Sequence, residues 1–180
     1  METRFDLSKT RSPVYLPCDA LERECRFERL RRSGPGGQNR NKVETAVRFY
    51  HMPSGLVGEA SERRYQGENR QIALERLRLE LALRVRVPID VENESERRSL
   101  RWFERVVDGR IRVSPTGFDY AILVAEFFDV YMGVDENLTK AAAYLETTPS
   151  QIVRFLAARP QALEKLNVER AKLGLKRLRP

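Results

Sequence analysis

A glycine-rich, cationic segment is the part of this sequence whose residue types could do chemistry. It runs Arg32-Ser33-Gly34-Pro35-Gly36-Gly37-Gln38-Asn39-Arg40-Asn41-Lys42. Glycine lets main-chain N–H groups approach a ligand closely, because no Cβ stands in the way. The segment lacks the Lys-Ser/Thr ending of a P-loop and no helix is predicted after it, so the pattern argues against nucleotide binding. The alternative interpretation is a glycine turn in a basic hairpin.

Four short blocks of residues, which include this segment and follow it along the chain, form a pattern of residue types at defined spacings. They are Arg32-x-Gly34-x-Gly36-Gly37-Gln38-x-x-Asn41-Lys42, Val47-Arg48, His51-x-Pro53-Ser54-Gly55 and Arg64-x-Gln66-x-x-Asn69-Arg70. On these blocks, residues 25–77 resemble the catalytic domain of bacterial class I peptide chain release factors, most closely the short versions that act in ribosome rescue. Asn39 and Arg40 depart from the family, which usually has His or Ser and then Val there. Tyr65 stands where the family usually has Ser.

The resemblance implies a mechanism for the segment. In the family, the loop enters the peptidyl transferase centre and promotes attack of water on the ester that joins peptide to transfer RNA. Gly36, Gly37 and Gln38 then form the catalytic tip, and the main-chain N–H of Gln38 stabilises the oxyanion, a contribution of about 3 kcal/mol. The family also implies that a glutamine methyltransferase could modify the Gln38 side chain.

The distribution of charge predicts which parts of the chain meet RNA. The chain has 33 basic and 26 acidic residues, a net charge of +7. Residues 26–86 carry a net +7 and residues 137–180 a net +6, whereas residues 87–136 carry a net −5. A polyanion therefore favours the first and last of these parts. The predicted RNA-binding residues are Arg31, Arg32, Arg40, Lys42, Arg64, Arg70, Lys176, Arg177 and Arg179.

Other functional classes have little support in the residues. Cys18, Cys25 and the single histidine, His51, make neither a disulfide framework nor an ordinary zinc site, and we predict half-buried reduced thiols. The longest apolar run, residues 120–125, is too short to span a bilayer, and the charged N-terminus is not a signal peptide. We expect a cytoplasmic monomer without metal or cofactor, whose partners are large-subunit ribosomal RNA and peptidyl-transfer RNA. His51 is predicted to be a structural residue at a turn.

The strands and helices predicted around the loop form an α+β fold. In this fold a small mixed sheet with a packed helix carries the exposed loop. After a leader (1–12), the catalytic domain covers residues 13–88. Predicted strands cover residues 13–17, 25–30, 43–52 and 56–60, with a helical turn at 19–21 and a tight turn at 53–55. The strand predicted at 43–52 places Val43, Thr45, Val47 and Phe49 on one face. A helix is predicted at 69–87, ended by Pro88.

Residues 89–180 predict an all-α domain with a basic tail. A capping box of Asn93 and Glu96 introduces a helix with an apolar stripe of Leu100, Phe103 and Val107, which Asp108-Gly109 ends. Further helices are predicted at 118–132, 138–145, 149–158 and 160–172. The helices at 138–145 and 149–158 resemble a helix-turn-helix that presents Ser150, Gln151 and Arg154. Compact packing of these helices without nucleic acid is an equal alternative.

Two groups of arginines have more than one interpretation. Arg70, Arg76, Arg78, Arg84 and Arg86 either follow phosphates or form a solvated face balanced by acidic neighbours. Arg97, Arg101 and Arg105 share one helix face and are predicted to form local ion pairs with Glu94, Glu104 and Asp108.

The sequence favours one function over two others. Residues 90–180 do not resemble a codon-reading domain, so we expect codon-independent hydrolysis of peptidyl-transfer RNA in ribosome rescue. The alternatives are a release factor variant tied to RNA damage or repair, and a nucleic-acid-binding regulator whose loop is not catalytic.

Overall fold

The structure is a computed structural model that describes residues 12–30, 45–87, 89–92 and 99–180. Its contacts divide the chain into two units, Met1–Val85 and Arg86–Pro180. The predicted functions of the two domains, 13–88 and 89–180, stay predictions. Residues 1–11 of the predicted leader lie outside the described part of the chain.

Three antiparallel strands form the sheet of the first unit. They are β1 (Cys25–Leu30), β2 (Ala46–His51) and β3 (Val57–Ala60), in the order β1-β2-β3. Their alternating side chains place Val47 and Phe49 in the core, as predicted for β2, whereas Val43 lies outside the described residues. Gly55 makes the turn between β2 and β3 with a φ of +70°, a conformation that glycine adopts without strain. The predicted α+β class is confirmed.

Helix α2 covers one face of this sheet. It runs over Gln66–Arg84, three residues ahead of the predicted range at both ends. Its apolar stripe, which includes Leu74, Leu77 and Leu81, is buried. The helix ends at Arg84 because Val85 is already extended, and a β-branched Val-x-Val sequence before a proline favours extended backbone.

The predicted strand at residues 13–17 is wrong. Pro13–Tyr15 forms one turn of 3₁₀-helix, because proline presets the helical φ and the Ser12 hydroxyl accepts a bond from the N–H of Val14. Helix α1 follows at Cys18–Arg23 and contains the helical turn predicted at 19–21.

Helix α4 is the centre of the second unit. It runs over Phe118–Gly133, and every residue from Tyr120 to Tyr131 is buried. Around it lie α3 (Leu100–Arg105), α5 (Leu138–Tyr144), α6 (Pro149–Ala157) and α7 (Pro160–Lys172), and the last four predicted helices are thereby confirmed. The Tyr120 hydroxyl donates to the carbonyl of Phe155 at 3.1 Å, which ties α6 to the central helix.

A two-residue hairpin replaces the predicted end of α3. The strands β4 (Val106–Val107) and β5 (Arg110–Ile111) pair around Asp108 and Gly109, whose φ angles are +51° and +71°. An Asp-Gly pair with two positive φ angles is the preferred turn of a hairpin, so it reverses the chain and does not simply end a helix.

Helix α3 also differs from its predicted packing. Trp102 is its buried side chain and donates to the carbonyl of Leu145 at 2.9 Å, whereas Leu100, Phe103 and Val107 are exposed. Ser99 caps the helix by accepting from the N–H of Trp102. The predicted capping box, Asn93 and Glu96, lies outside the described residues.

Two buried carboxylates interrupt the apolar surface of α4. Asp129 accepts a bond from Arg86 at 2.9 Å and another from the N–H of Val87 at 3.1 Å. Glu126 accepts from the N–H and the hydroxyl of Ser99. Burial raises the pKa of Asp129 to about 6, against the opposing effect of Arg86.

This raised pKa predicts a pH dependence of stability. Between the ordinary value of 3.8 and about 6, the folded protein binds more protons at Asp129 than the unfolded chain does. The contribution of this carboxyl to stability is therefore complete below pH 4 and is lost as the pH rises through 6, a change of roughly 3 kcal/mol. We expect urea unfolding of Asp129→Asn between pH 4 and 7 to lack this component. Parallel pH profiles for the variant and the wild type would contradict the assignment.

None of the helices in the described ranges combines the length and the apolar character that a membrane crossing requires.

Candidate active site

The predicted catalytic tip lies in residues 31–44, outside the described part of the chain, as do Arg31, Arg32, Arg40 and Lys42. The structure describes the two residues between which this segment runs. Leu30 ends β1 and Thr45 precedes β2, and Leu30 pairs directly with Ala46 in the antiparallel register. The segment therefore leaves and re-enters the sheet at adjacent positions of the same end. The roles of Gly36, Gly37 and Gln38 stay predictions.

A buried asparagine anchors the re-entry point. The side-chain amide of Asn69, on α2, donates to the carbonyl of Thr45 at 2.8 Å and to the carbonyl of Arg63 at 2.9 Å. Its oxygen accepts from the N–H of Arg63 at 2.9 Å. Asn69 belongs to the last of the four residue blocks, which by itself predicts no partner for the side chain, and only the packing shows what it binds.

The two predicted RNA-binding arginines near α2 differ in their surroundings. Arg64 is exposed and forms no hydrogen bond or ion pair with the other described residues. Arg70 forms a two-bond ion pair with Glu22 and lies over the rings of Phe27 and Phe49, at 5.0 and 5.7 Å from their centroids. The hydrogen bonds that Arg70 donates to the Glu22 carboxylate raise the pKa of the guanidinium. The Arg64 side chain is thus exposed to solvent, whereas the Arg70 side chain is already bound to Glu22 and packed on two aromatic rings of the sheet.

The family assignment follows from this stretch of chain. Residues 18–114 match the model of the RF-1 domain, which is more than half of the chain. The chain belongs to the RF-1 domain family. The match contains the segment 31–44, all three strands of the first sheet, α2 and the hairpin of the second unit.

Curated relatives of this RF-1 domain protein are release factors. Peptide chain release factor 1 of Chlorobaculum tepidum is 52% identical over 52 residues, which are 29% of this chain and 15% of that protein. The probable mitochondrial peptide chain release factor 1 of Caenorhabditis elegans is 35% identical over 128 residues, 63% of this chain and 30% of that protein. The chain therefore spans less than a third of the length of these relatives. No solved structure matches it.

The lone histidine of the RF-1 domain protein holds a turn. His51 is 1% exposed, with Nδ1 2.7 Å from the Ser54 hydroxyl and Nε2 2.8 Å from a Glu24 carboxylate oxygen. Both ring nitrogens are occupied within the fold, which agrees with the predicted structural role.

The two cysteines have different environments. Cys18 is exposed, so the prediction that it is half-buried is wrong, whereas Cys25 is partly buried. Burial raises the pKa of Cys25 to about 11, which makes its thiol a poor nucleophile. Within the described ranges, no group of three His, Cys, Asp or Glu residues is placed to hold a metal ion.

The arginines of α2 and its C-terminal extension are engaged within the protein. Arg76 binds Glu62 and Arg84 binds Glu80. Arg86 binds Asp129, as described above. Arg78 is 3% exposed and donates to the carbonyls of residues 14 and 16, which holds the 3₁₀-turn against α2. For Arg76 and Arg84 these ion pairs favour the solvated, internally balanced face over a phosphate-following one. Arg78 fits neither interpretation, because it is buried.

The predicted partners of the α3 arginines are wrong. Arg101 and Arg105 both bind Asp119, at 2.6 Å each, instead of Glu104 or Asp108. Asp119 lies on the first turn of α4, so tertiary packing brings it to α3. Arg97 and Glu94 lie outside the described residues.

The basic tail lies beyond the RF-1 domain match and folds back along α7. The helix ends at Lys172, and Gly174 reverses the chain with a φ of +69°. The buried Asn167 side chain accepts from the N–H of Leu178 at 2.8 Å and donates to its carbonyl at 3.1 Å. The main chain of the tail is therefore held against the helix by hydrogen bonds to a side chain of α7.

The three predicted RNA-binding residues of the tail are not equivalent. Arg177 forms a two-bond ion pair with Glu164, whereas the side chains of Lys176 and Arg179 are exposed and form no hydrogen bond or ion pair with the other described residues. Among the described residues, Lys176 and Arg179 therefore differ from Arg177 in having no acidic partner.

Helices α5 and α6 are joined by a short turn, and the helix-turn-helix interpretation of this pair stays a prediction. Four residues, 145–148, separate them, and Thr148 caps α6 by accepting from the N–H of Gln151. Ile152, Val153, Phe155 and Leu156 are buried, while Ser150 and Arg154 are exposed. This pair too lies outside the RF-1 domain match.

Proposed function

We propose that this protein promotes hydrolysis of the ester bond of peptidyl-transfer RNA on the ribosome, without reading a codon, in the rescue of stalled complexes. The observation that carries the proposal is the RF-1 domain match over residues 18–114, which includes Gly36-Gly37-Gln38. The paired strands β1 and β2 support it, because they present that segment at a single end of the sheet.

The proposed reaction is a water-dependent acyl transfer. Water attacks the ester carbonyl, a tetrahedral oxyanion forms, and the C–O bond to the ribose breaks to leave a peptide carboxylate and a transfer RNA hydroxyl. The main-chain N–H of Gln38 donates to the oxyanion, and the Gln38 side chain orients water or excludes bulkier nucleophiles. Ribosomal RNA completes the site, so the chain needs no catalytic Asp, His or Cys of its own.

The proposed partners follow from the same chemistry. Large-subunit ribosomal RNA binds the cations beside the tip, which are Arg31, Arg32, Arg40, Lys42 and Arg64. Their guanidinium and ammonium groups neutralise phosphates. Modification of Gln38 by a glutamine methyltransferase and action in the cytoplasm belong to the same proposal.

We propose that the second unit does not read a codon and instead positions the protein on the ribosome by contacting RNA. Helices α4 to α7 lie after the end of the RF-1 domain match. Lys176, Arg179 and Arg154 are exposed on this unit and have no acidic partner among the described residues. Because the tail folds along α7, we expect it to contact RNA as part of that helical surface and not as an extended arm. Arg177 contributes less than its neighbours, since Glu164 already neutralises it.

A release assay on purified ribosomes tests the proposal. Ribosomes carrying labelled peptidyl-transfer RNA are prepared with a stop codon, with a sense codon or with no codon in the decoding site. We expect release in all three, fastest on ribosomes without a codon. Release restricted to the stop codon would contradict codon independence. Absence of release, with retained binding to RNA, would contradict catalysis and favour the nucleic-acid-binding regulator.

A further inference from the structure

The Asn69 side chain is one of the most completely enclosed polar groups of the first unit. It is 0% exposed and lies in the first turn of α2, where its amide makes three hydrogen bonds to main-chain groups outside the helix. An asparagine within a helix has a lower propensity than most residues, because its side chain competes for main-chain groups. Here the whole bonding capacity of the amide N–H₂ is used on two other segments.

The two segments that Asn69 joins both belong to the proposed catalytic surface. One bond goes to Thr45, which directly follows residues 31–44. Two bonds go to Arg63, whose N–H and carbonyl are both paired with the same amide. Arg63 is followed by Arg64, the exposed cation proposed to bind ribosomal RNA. A single side chain therefore fixes the main chain at the end of the loop and at the start of a cationic turn.

The two ends of the loop are held in different ways. At the beginning, Leu30 pairs with Ala46 within the sheet. At the end, Thr45 precedes the first residue of β2, and its carbonyl is bound by Asn69 at 2.8 Å. Loss of the amide leaves this carbonyl, and both main-chain groups of Arg63, without that partner. The loop end is then free to move relative to α2 while the sheet itself stays paired.

We infer that Asn69 is a positioning residue for the catalytic loop: it sets the placement of the loop end relative to α2 and to Arg64. The inference rests on the proposed function of the loop. Catalysis by positioned groups is sensitive to such placement, since a displacement of about 1 Å can cost about 100-fold in rate. Binding to the ribosome, which is spread over many cations, is much less sensitive.

The test compares variants with a matched control on the same helix. Asn69→Asp is nearly isosteric but cannot provide both N–H donors, and Asn69→Ala removes all three bonds. Arg78→Ala is the control, because Arg78 also lies buried on α2 and donates to main-chain carbonyls, but of residues 14 and 16, which do not lead to the loop. All variants are first confirmed to be folded by circular dichroism, and a variant that does not fold is replaced by the other Asn69 substitution.

The expected result is a split between kcat and KM. Both Asn69 variants should lower kcat for peptide release by about 10- to 100-fold with KM nearly unchanged. Arg78→Ala should lower the melting temperature with kcat unchanged. Hydrogen exchange should rise at residues 45 and 63–64 in the Asn69 variants and not in the control.

Three outcomes would overturn the inference, and they are distinguishable. If the wild type releases peptide and the Asn69 variants do so at the same kcat, the positioning role is wrong and the proposed function stands. If the wild type itself releases no peptide, the proposed function is wrong and the positioning role falls with it. A kcat loss equal in Arg78→Ala and Asn69→Ala would mean that both act only through stability.

Discussion

Gly37→Ala is expected to abolish peptide release while leaving ribosome binding nearly unchanged. The proposed tip must enter a crowded RNA cavity, and a Cβ at this position would obstruct the approach of the main-chain N–H groups to the ester. Loss of one oxyanion donor alone costs about 100- to 1000-fold in kcat. Single-turnover release from purified ribosomes, together with co-sedimentation, measures the two effects separately.

The same substitution elsewhere in the RF-1 domain provides the control. Gly67 lies in α2 and has an ordinary φ, and a Cβ there would meet no atom within 4 Å outside the neighbouring backbone of its own helix. Gly67→Ala is therefore expected to retain release at the wild-type rate. Wild-type release by Gly37→Ala would remove the loop from the catalytic mechanism. Gln38→Ala is a weaker test, because the proposed donor is its main-chain N–H.

The second large effect is expected on stability, from Gly58→Ala in β3. A Cβ at Gly58 would lie 2.1 Å from the carbonyl oxygen of Ala73, and 2.6 Å from both the N and the Cβ of Leu77. Two of these three atoms belong to the main chain of α2, so no side-chain rotation relieves the clash. The helix and the sheet must separate, which we expect to cost at least about 3 kcal/mol.

Urea denaturation followed by far-UV circular dichroism measures this loss. Gly67→Ala again serves as the matched control, and here it should stabilise by about 1 kcal/mol, because alanine is the better helix former. Equal unfolding midpoints for Gly58→Ala and the wild type would contradict the close approach of β3 to α2.

The sequence by itself determined the elements whose pattern is local. The alternation of apolar residues predicted β1, β2 and β3, and the apolar spacing predicted α2 and the four helices from α4 to α7, to within a few residues at their ends. The order and spacing of the four residue blocks were sufficient to indicate the release factor family, which the RF-1 domain match confirms. These features depend on neighbours a few positions apart, which a single sequence displays directly.

Local patterns gave wrong predictions where the same residues are compatible with two local structures. Apolar residues after Pro13 suggested a strand, but proline and the Ser12 cap favour a helical turn. Asp108-Gly109 was interpreted as the end of a helix, although the same pair is the preferred turn of a hairpin. In both cases the missing information was turn chemistry and not hydrophobic pattern.

Only the tertiary structure decided the partners of the polar side chains. Arg78 binds carbonyls 62 and 64 residues away, and Asp119 binds Arg101 and Arg105 from 18 and 14 residues away. Asn69 reaches Thr45 across 24 residues. A hydrogen bond requires its donor and acceptor to be within about 3 Å. Which residues satisfy that condition depends on how the helices and strands pack, and sequence separation does not carry that information.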